Sequence, residues 1–218
     1  MSPLFSGPDF LSDDIDMNEQ QRESRIHALS ERDAQAFMAA LTERMLINLH
    51  FYAALAELDS KQAKRADNAL GLVWEALMTP RAQIDFLLQE EKLAALEARL
   101  AEDEDSFGAR MAGDALMALS TLLESMATDR KGGAIEVARL SVHGVAQMVM
   151  MQSDESLAES VWQQRIDAHP LMADESDFQD SILDTLYETG TSRDALKALR
   201  RLGQNEGVSN LGLSLYDD

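Results

Sequence analysis

Side chains that could bind a metal or transfer a proton are spread thinly along this 218-residue chain. Its histidines are His27, His50, His143 and His169, and no two of them are closer than 23 residues. The sequence therefore lacks a helical pair of histidines one turn apart, the usual zinc-binding spacing. It also has no cysteine, which excludes thiolate ligands, cysteine nucleophiles and disulfides. We predict no metal site, no cofactor and no catalytic residue.

One polar stripe concentrates several functional groups on a single predicted helix. Residues 134–151 are mostly apolar, and at 100° per residue their polar side chains share one narrow face: Glu136, Arg139, His143 and Gln147. A carboxylate, a guanidinium and an imidazole on one face can orient a ligand or transfer a proton if a neighbouring helix completes a cleft. The stripe also suits a mostly buried helix with one hydrated seam, where Glu136 and Arg139 form an ordinary i, i+3 pair.

A second candidate is a pair of polar residues on the apolar side of another predicted helix. Arg44 and Asn48 lie among apolar side chains when residues 30–58 are wound as a helix. A buried guanidinium needs a carboxylate or several carbonyl groups, because an unpaired buried charge is strongly destabilising. Asp114 is the predicted partner, although Arg110 can bind it locally. The group fits a structural ion pair, and it also fits a ligand-binding cluster.

Helices must position all of these groups, because the apolar spacing is close to 3.6 residues along the chain. The helix starts are marked by predicted caps at Ser30, Ser60 and Thr79, the last followed by a first-turn proline. Predicted helices cover about 30–58, 61–78, 80–100, 106–127, 134–151, 155–168, 171–188 and 192–202. The predicted fold is all-α: an irregular multi-helix bundle of seven to nine helices around a central hairpin of the 106–127 and 134–151 helices.

The two ends of the chain differ from this helical body. Residues 1–20 contain two prolines and five acids but no base, so we predict a flexible acidic N-terminal arm over 1–18. Residues 19–218 then form a single all-helical domain. Within it, alternating apolar and polar residues over 208–215 predict an extended C-terminal tail on the body. The first residues lack a secretory signal, and the longest apolar runs are too short for a membrane helix. We therefore expect a cytoplasmic protein without membrane contact.

The formal net charge of −20 restricts the partners of this chain. Nucleic-acid affinity comes mainly from lysine and arginine, so an excess of 39 acidic over 19 basic residues excludes ordinary DNA or RNA binding. A basic protein is the partner class that the charge favours, while solubility alone would also explain it. The sequence is compatible with a homo-oligomer as well.

Four segments resemble the YjaG-like family of uncharacterised bacterial proteins, also called domain of unknown function 416. They are 37–45 (FMAALTERM), 72–77 (LVWEAL), 114–119 (DALMAL) and 209–212 (SNLG). The acidic arm is an extension relative to the family, and Leu211 stands where isoleucine is expected. The resemblance implies an all-helical bacterial protein of about this length, and it implies no activity, substrate or catalytic residue.

Two functional hypotheses follow from these patterns. The first is a non-enzymatic protein-interaction or regulatory module with an acidic surface. The alternative is a small-ligand-binding protein or enzyme that uses a polar cluster near Arg44 or His143. A convergent, partly open polar cavity would favour the alternative, whereas a filled core with one exposed apolar patch would favour the first hypothesis.

Overall fold

The computed structural model describes residues 10–79, 81–103, 105–128, 132–152 and 158–214, with side chains from Glu19 onward except that of Ser60. These residues contain ten α-helices. They are α1 Phe10–Ala28, α2 Glu31–Leu55, α3 Ser60–Met78, α4 Phe86–Glu91, α5 Ala94–Ala101, α6 Phe107–Thr128, α7 Ala134–Met151, α8 Glu159–Asp167, α9 Pro170–Thr189 and α10 Arg193–Gln204. The all-α class is confirmed. Because α4 and α5 fall within one predicted helix, the described chain has nine helices when they are counted together.

Local capping explains where several helices begin. Ser30 caps α2 as predicted, and its hydroxyl accepts a hydrogen bond from the Asp33 N–H at 3.2 Å. The predicted cap at Ser60 is wrong, because the Asp59 carboxylate one residue earlier accepts from the Lys61 N–H at 3.0 Å. A carboxylate is a stronger hydrogen-bond acceptor than a serine hydroxyl, so Asp59 is the residue that caps α3.

The single helix predicted over 80–100 is also wrong. Thr79 is the C-cap of α3 rather than an N-cap, and its N–H donates to the Glu75 carbonyl. The chain then leaves the helix, with Arg81 in the left-handed region at φ 77°, and Asp85 caps the short α4. Pro80, on which the prediction rested, lies outside the described residues.

The core is organised around α2 rather than around the predicted central hairpin. In α2, 17 of 25 residues are buried, and α3, α6, α7, α9 and α10 all pack against it. The predicted central helix α7 has 8 of 18 residues buried; Val145 is fully buried, but Val142 is only half-buried. The buried arc of α7 is therefore narrower in the fold than its sequence indicates.

The end of the described chain forms a turn instead of the predicted extended tail. Val208 and Ser214 form an antiparallel bridge, and the Ser209 N–H donates to the Leu213 carbonyl at 2.9 Å. Leu211, at the tip, is 3% exposed and packs against α6 and α7. The turn lies against Gly144 of α7: a Cβ there would be at ordinary van der Waals distance, 3.7 Å, from side-chain atoms of Asn210 and Leu211.

The N-terminal arm is described only in part. Residues 1–9 lie outside the described residues, and α1 begins inside the predicted arm, at Phe10. Flexibility of the arm stays a prediction. Among the described helices, none combines the length and the hydropathy needed to cross a membrane.

Candidate functional site

An open cleft of about 990 Å³ lies between α2, α3, α10 and the turn after α10. We call it the Glu43 cleft. Leu46, Ile47 and Leu70 contribute apolar side chains to its lining. The polar groups are Glu43 and His50 from α2, Asp67 from α3, Arg200, Arg201 and Gln204 from α10, and Asn205 and Glu206 from the turn.

The cleft depends on a close approach of α10 to α2 at Gly203. A Cβ atom on Gly203 would lie 2.6 Å from the Ala40 carbonyl oxygen and 3.0 Å from the Glu43 Cβ. Contacts this short are repulsive, so only glycine permits the observed spacing. The approach brings Arg200 and Gln204 within reach of the Glu43 carboxyl group.

The Glu43 carboxyl group is held between α3 and α10. Its Oε2 accepts a hydrogen bond from Trp74 Nε1 at 2.6 Å, and its Oε1 accepts one from Gln204 Nε2 at 3.3 Å. Arg200 Nε lies 3.7 Å from Oε1. Burial raises the pKa of Glu43 above its usual value, although Trp74 and Arg200 act in the opposite direction. A carboxyl group in this state accepts a proton more readily than an exposed glutamate does.

His50 and Asp67 form an ion pair across the same cleft. His50 Nε2 lies 2.8 Å from Asp67 Oδ1, which joins α2 to α3. The hydrogen bond to Asp67 raises the pKa of His50, and partial burial opposes this effect. The carboxylate therefore favours the protonated imidazole, which is a hydrogen-bond donor at both nitrogens.

Two guanidinium groups from α10 complete the lining. The Arg200 Nε is buried, and no acceptor among the described residues satisfies its hydrogen-bonding capacity. Arg201 is exposed and forms no ion pair within the described part of the chain. Arg201 and the Arg200 side chain, which is 37% exposed, can both receive an anionic group that enters the cleft.

The predicted partner of Arg44 is wrong. Arg44 is 4% exposed and binds two neighbouring carboxylates of α9 rather than Asp114. Its Nη1 lies 3.5 Å from Glu175 Oε2, its Nη2 donates to Asp174, and its guanidinium stacks 4.5 Å from the Phe178 ring centre. The sequence predicted that Arg44 needs a carboxylate, but which carboxylate it binds depends on how α9 packs on α2.

Glu175 extends this ion pair into a buried network. It is fully buried, and Gln179 Nε2 donates to its Oε1 at 2.8 Å. Burial raises the pKa of Glu175, while Arg44 and the hydrogen bonds lower it. Asn48 Nδ2 donates to Asn210 at 2.9 Å, and Asn210 Nδ2 donates to the Ser141 carbonyl at 3.1 Å. The network joins α2, α7, α9 and the C-terminal turn, and ligand binding by Arg44 or Asn48 stays a prediction.

The polar stripe on α7 is divided among different neighbours. Arg139 binds Glu23 of α1, with Nε 2.8 Å from Oε1, instead of the predicted Glu136. Glu136 is exposed. The cause is the packing of α1 against α7, which supplies a carboxylate closer to the guanidinium.

His143 and Asp114, predicted from separate helices, line a second cleft. This cleft of about 640 Å³ lies between α5, α6 and α7, and we call it the Asp114 cleft. Burial raises the pKa of Asp114, and the nearby His143 and Arg110 act in the opposite direction. The structure therefore brings together two of the predicted site residues, although not around Arg44.

Sequence reasoning missed the main residues of the Glu43 cleft. Glu43 and His50 are seven residues apart, a spacing that places both on one face of α2, and this signal was readable. The contributions of Asp67 and Arg200 come from other helices. Both residues could be assigned to the cleft only once the packing of α3 and α10 on α2 was known.

The sequence model of the family described as "Protein of unknown function (DUF416)" matches residues 21–214. A Haemophilus influenzae relative named "Uncharacterized protein" is 31% identical over 195 residues, which cover 88% of this chain and 96% of the relative. "Uncharacterized protein YjaG" of Escherichia coli K12 is 30% identical over 192 residues, covering 87% and 94%. The crystal structure of a DUF416 family protein from Shewanella baltica OS155 superposes with a TM-score of 0.78 at 28% identity, covering 88% of this chain and 97% of that chain. Together with the all-helical architecture, these matches show that the chain belongs to the DUF416 family.

Proposed function

We propose that this protein binds a small polar molecule and that the molecule occupies the Glu43 cleft. The observation that carries the proposal is the convergence of ionisable groups of both signs, from three helices, on one open cleft. A volume of about 990 Å³ is at the upper end of the range for small-molecule sites. The lining combines apolar side chains with a few polar groups, as such sites do.

The charges of the cleft favour a zwitterionic ligand. Arg200 and Arg201 suit a carboxylate, and Asp67 and Glu206 suit an ammonium group. A ligand with net negative charge would be repelled at long range by the net charge of −20. A molecule of amino-acid or dipeptide type carries both groups without that penalty.

A thermal-shift screen with amino acids, dipeptides and betaines tests this proposal. A ligand present at about 100 times its Kd stabilises the fold by about 2.7 kcal/mol. With an unfolding entropy of about 2.1 cal/mol/K per residue, this corresponds to a rise in Tm of about 6 °C. We expect Arg201→Gln to remove most of the rise, because Arg201 is exposed and supports no described ion pair of the fold.

Arg193→Gln is the matched control. Arg193 is an exposed arginine on the same helix and does not line the cleft. The rise in Tm should be the same in Arg193→Gln as in the wild type. Equal rises in Arg201→Gln and Arg193→Gln would contradict binding in the Glu43 cleft, and a screen without any rise would exclude the zwitterionic class.

The structure gives less support to the acidic-surface hypothesis. On α9, which is among the most acidic segments, Asp174 binds Arg44, Asp180 binds Arg22 and Glu175 is buried. These three carboxylates form ion pairs within the protein or are buried, so they do not form a free acidic patch. A basic protein partner, a homo-oligomer and a cytoplasmic location remain predictions from the sequence.

A further inference from the structure

We propose a second binding site, in the Asp114 cleft, for an amphiphilic cation: a molecule with an ammonium group and an apolar chain. This site goes beyond the proposed function, because the Asp114 cleft and the Glu43 cleft share no lining residue. Three features of the Asp114 cleft point to this ligand class: an apolar wall, an open space at a helical glycine and a carboxylate to which no described residue donates a hydrogen bond.

The apolar wall comes from α5 and α6. Leu100 and Leu116 are buried beneath the cleft, and Met117 is 56% exposed at its edge. Methionine adapts its shape to different apolar partners at little energetic cost. An exposed methionine above buried leucines suits the apolar part of a ligand.

The open space is at Gly113, in the interior of α6. Apart from the adjacent backbone of α6 itself, no described heavy atom lies within 4 Å of the position that a Cβ on Gly113 would take, so packing against other elements does not require glycine there. Glycine inside a helix costs about 0.5–1 kcal/mol relative to alanine. A glycine that lines a cleft without packing against anything leaves room for another molecule to approach the backbone.

The lining carries two carboxylates, Asp114 and Glu97, one guanidinium, Arg110, and one imidazole, His143. No described residue donates a hydrogen bond to the Asp114 carboxyl group. Arg110, one turn earlier, donates to the Asp105 carbonyl at 3.0 Å and faces the Phe107 ring. Glu97 adds a second carboxylate to the lining, and Ser120 donates to it at 3.1 Å.

An ammonium group fits the carboxylates of the Asp114 cleft better than an anion does. It can donate hydrogen bonds to the Asp114 carboxylate, which at present accepts none from the described residues. Its approach is assisted by the net charge of −20, whereas an anion of the same length is repelled. The apolar chain of the ligand can then lie along Leu116 and Met117.

The experiment compares three probes of equal chain length: n-octylamine, octanoate and 1-octanol, titrated into the full-length protein by calorimetry at about pH 7.5, where octylamine is protonated. We expect octylamine to bind more tightly than octanol and octanoate not to bind detectably. Asp114→Asn should weaken octylamine binding by about ten-fold, because a charge-assisted hydrogen bond is lost. Equal binding of octanoate and octylamine would overturn the proposal.

The glycine gives a matched pair of variants. Gly113→Leu should abolish octylamine binding by filling the cleft. Gly71→Leu should not affect it, because Gly71 is also an unpacked helical glycine but lies outside both clefts. Circular dichroism checks that both variants fold. Unchanged binding in Gly113→Leu would place octylamine elsewhere and reject this site.

A further variant separates this proposal from the proposed function. Arg201→Gln should leave octylamine binding unchanged, since Arg201 lines only the Glu43 cleft. Loss of octylamine binding in Arg201→Gln would show that the amine enters the Glu43 cleft and would overturn the second site. The zwitterion screen can fail without changing the result at Asp114.

Discussion

Replacing Arg44 by methionine should destabilise the fold strongly and in a pH-dependent way. Arg44→Met leaves the carboxylate of Glu175, which is fully buried, with only hydrogen bonds to balance its charge. Removing one partner of a buried ion pair costs about 3–5 kcal/mol. Asp174 adds little to this value, because its side chain is 60% exposed. At about 2.1 cal/mol/K of unfolding entropy per residue, a loss of 4 kcal/mol lowers Tm by about 9 °C.

The pH dependence follows from the direction of the Glu175 pKa. Burial raises the pKa of Glu175 in the folded protein, so ionisation of this carboxyl group destabilises the fold as the pH rises above the ordinary value of 4.5. Arg44 limits the rise in pKa, and Arg44→Met increases it. The stability that Arg44→Met loses therefore grows with pH. The increase is about 1.4 kcal/mol for each pH unit between the pKa of Glu175 in the folded wild type and its pKa in the folded variant.

Chemical denaturation followed by circular dichroism measures the free energy of unfolding of the wild type and of Arg44→Met at about pH 8 and about pH 5.5. The lower pH is still above the isoelectric point of about 4.4. We expect a clearly smaller loss at the lower pH. Adding Glu175→Gln to Arg44→Met should recover part of the stability at pH 8, because no buried charge is left. The exposed Arg139→Met is the control, with a loss below about 1 kcal/mol. A loss in Arg44→Met that is equal at both pH values would refute the role assigned to Glu175.

Three further predictions concern the clefts and the surface. Gly203→Ala should destabilise the fold by about 1–3 kcal/mol, measured by thermal melting, because the new Cβ would lie 2.6 Å from a carbonyl oxygen. Gly71→Ala is the control: no neighbouring element packs against Gly71, so this variant should be neutral or stabilising. The raised pKa of His50 stabilises the fold below the ordinary value of 6.5, and this stabilisation disappears as the pH rises through the folded pKa. His50→Gln should therefore lose more stability at about pH 6 than at about pH 9, and the opposite order would contradict the ion pair with Asp67. If a basic protein partner exists, its association should slow markedly between about 20 and 300 mM salt, and a rate independent of salt would exclude attraction by the acidic surface.

The sequence was most informative where local signals act alone. The predicted bounds of α7, 134–151, match the observed helix because a left-handed Gly133, at φ 91°, precedes its first turn and the apolar spacing is continuous. The short α4 and α5 were not predictable in the same way. They are only 6 and 8 residues long and are stabilised by packing against α6, which local signals do not encode.

The candidate sites depend on packing between helices even more than α4 and α5 do. The sequence correctly required a carboxylate for Arg44, but it named Asp114 instead of two residues about 130 positions away. It placed His143 on a polar face, and the partner helix that completes the cleft became known only from the fold. Side-chain chemistry can be predicted from residue type, whereas the meeting of side chains from different helices depends on packing at positions such as Gly203.

Glu43 and Arg44 show how one helix can serve a site and the core at once. Consecutive helical residues point about 100° apart, so these two side chains face different neighbours of α2. Glu43 faces α3 and α10, where its carboxyl group lines an open cleft and retains contact with solvent. Arg44 faces α9, where its charge is neutralised inside the protein. The Arg44 network links α2 to α9, and it is one of the contacts that hold α2 in the position from which Glu43 reaches the cleft.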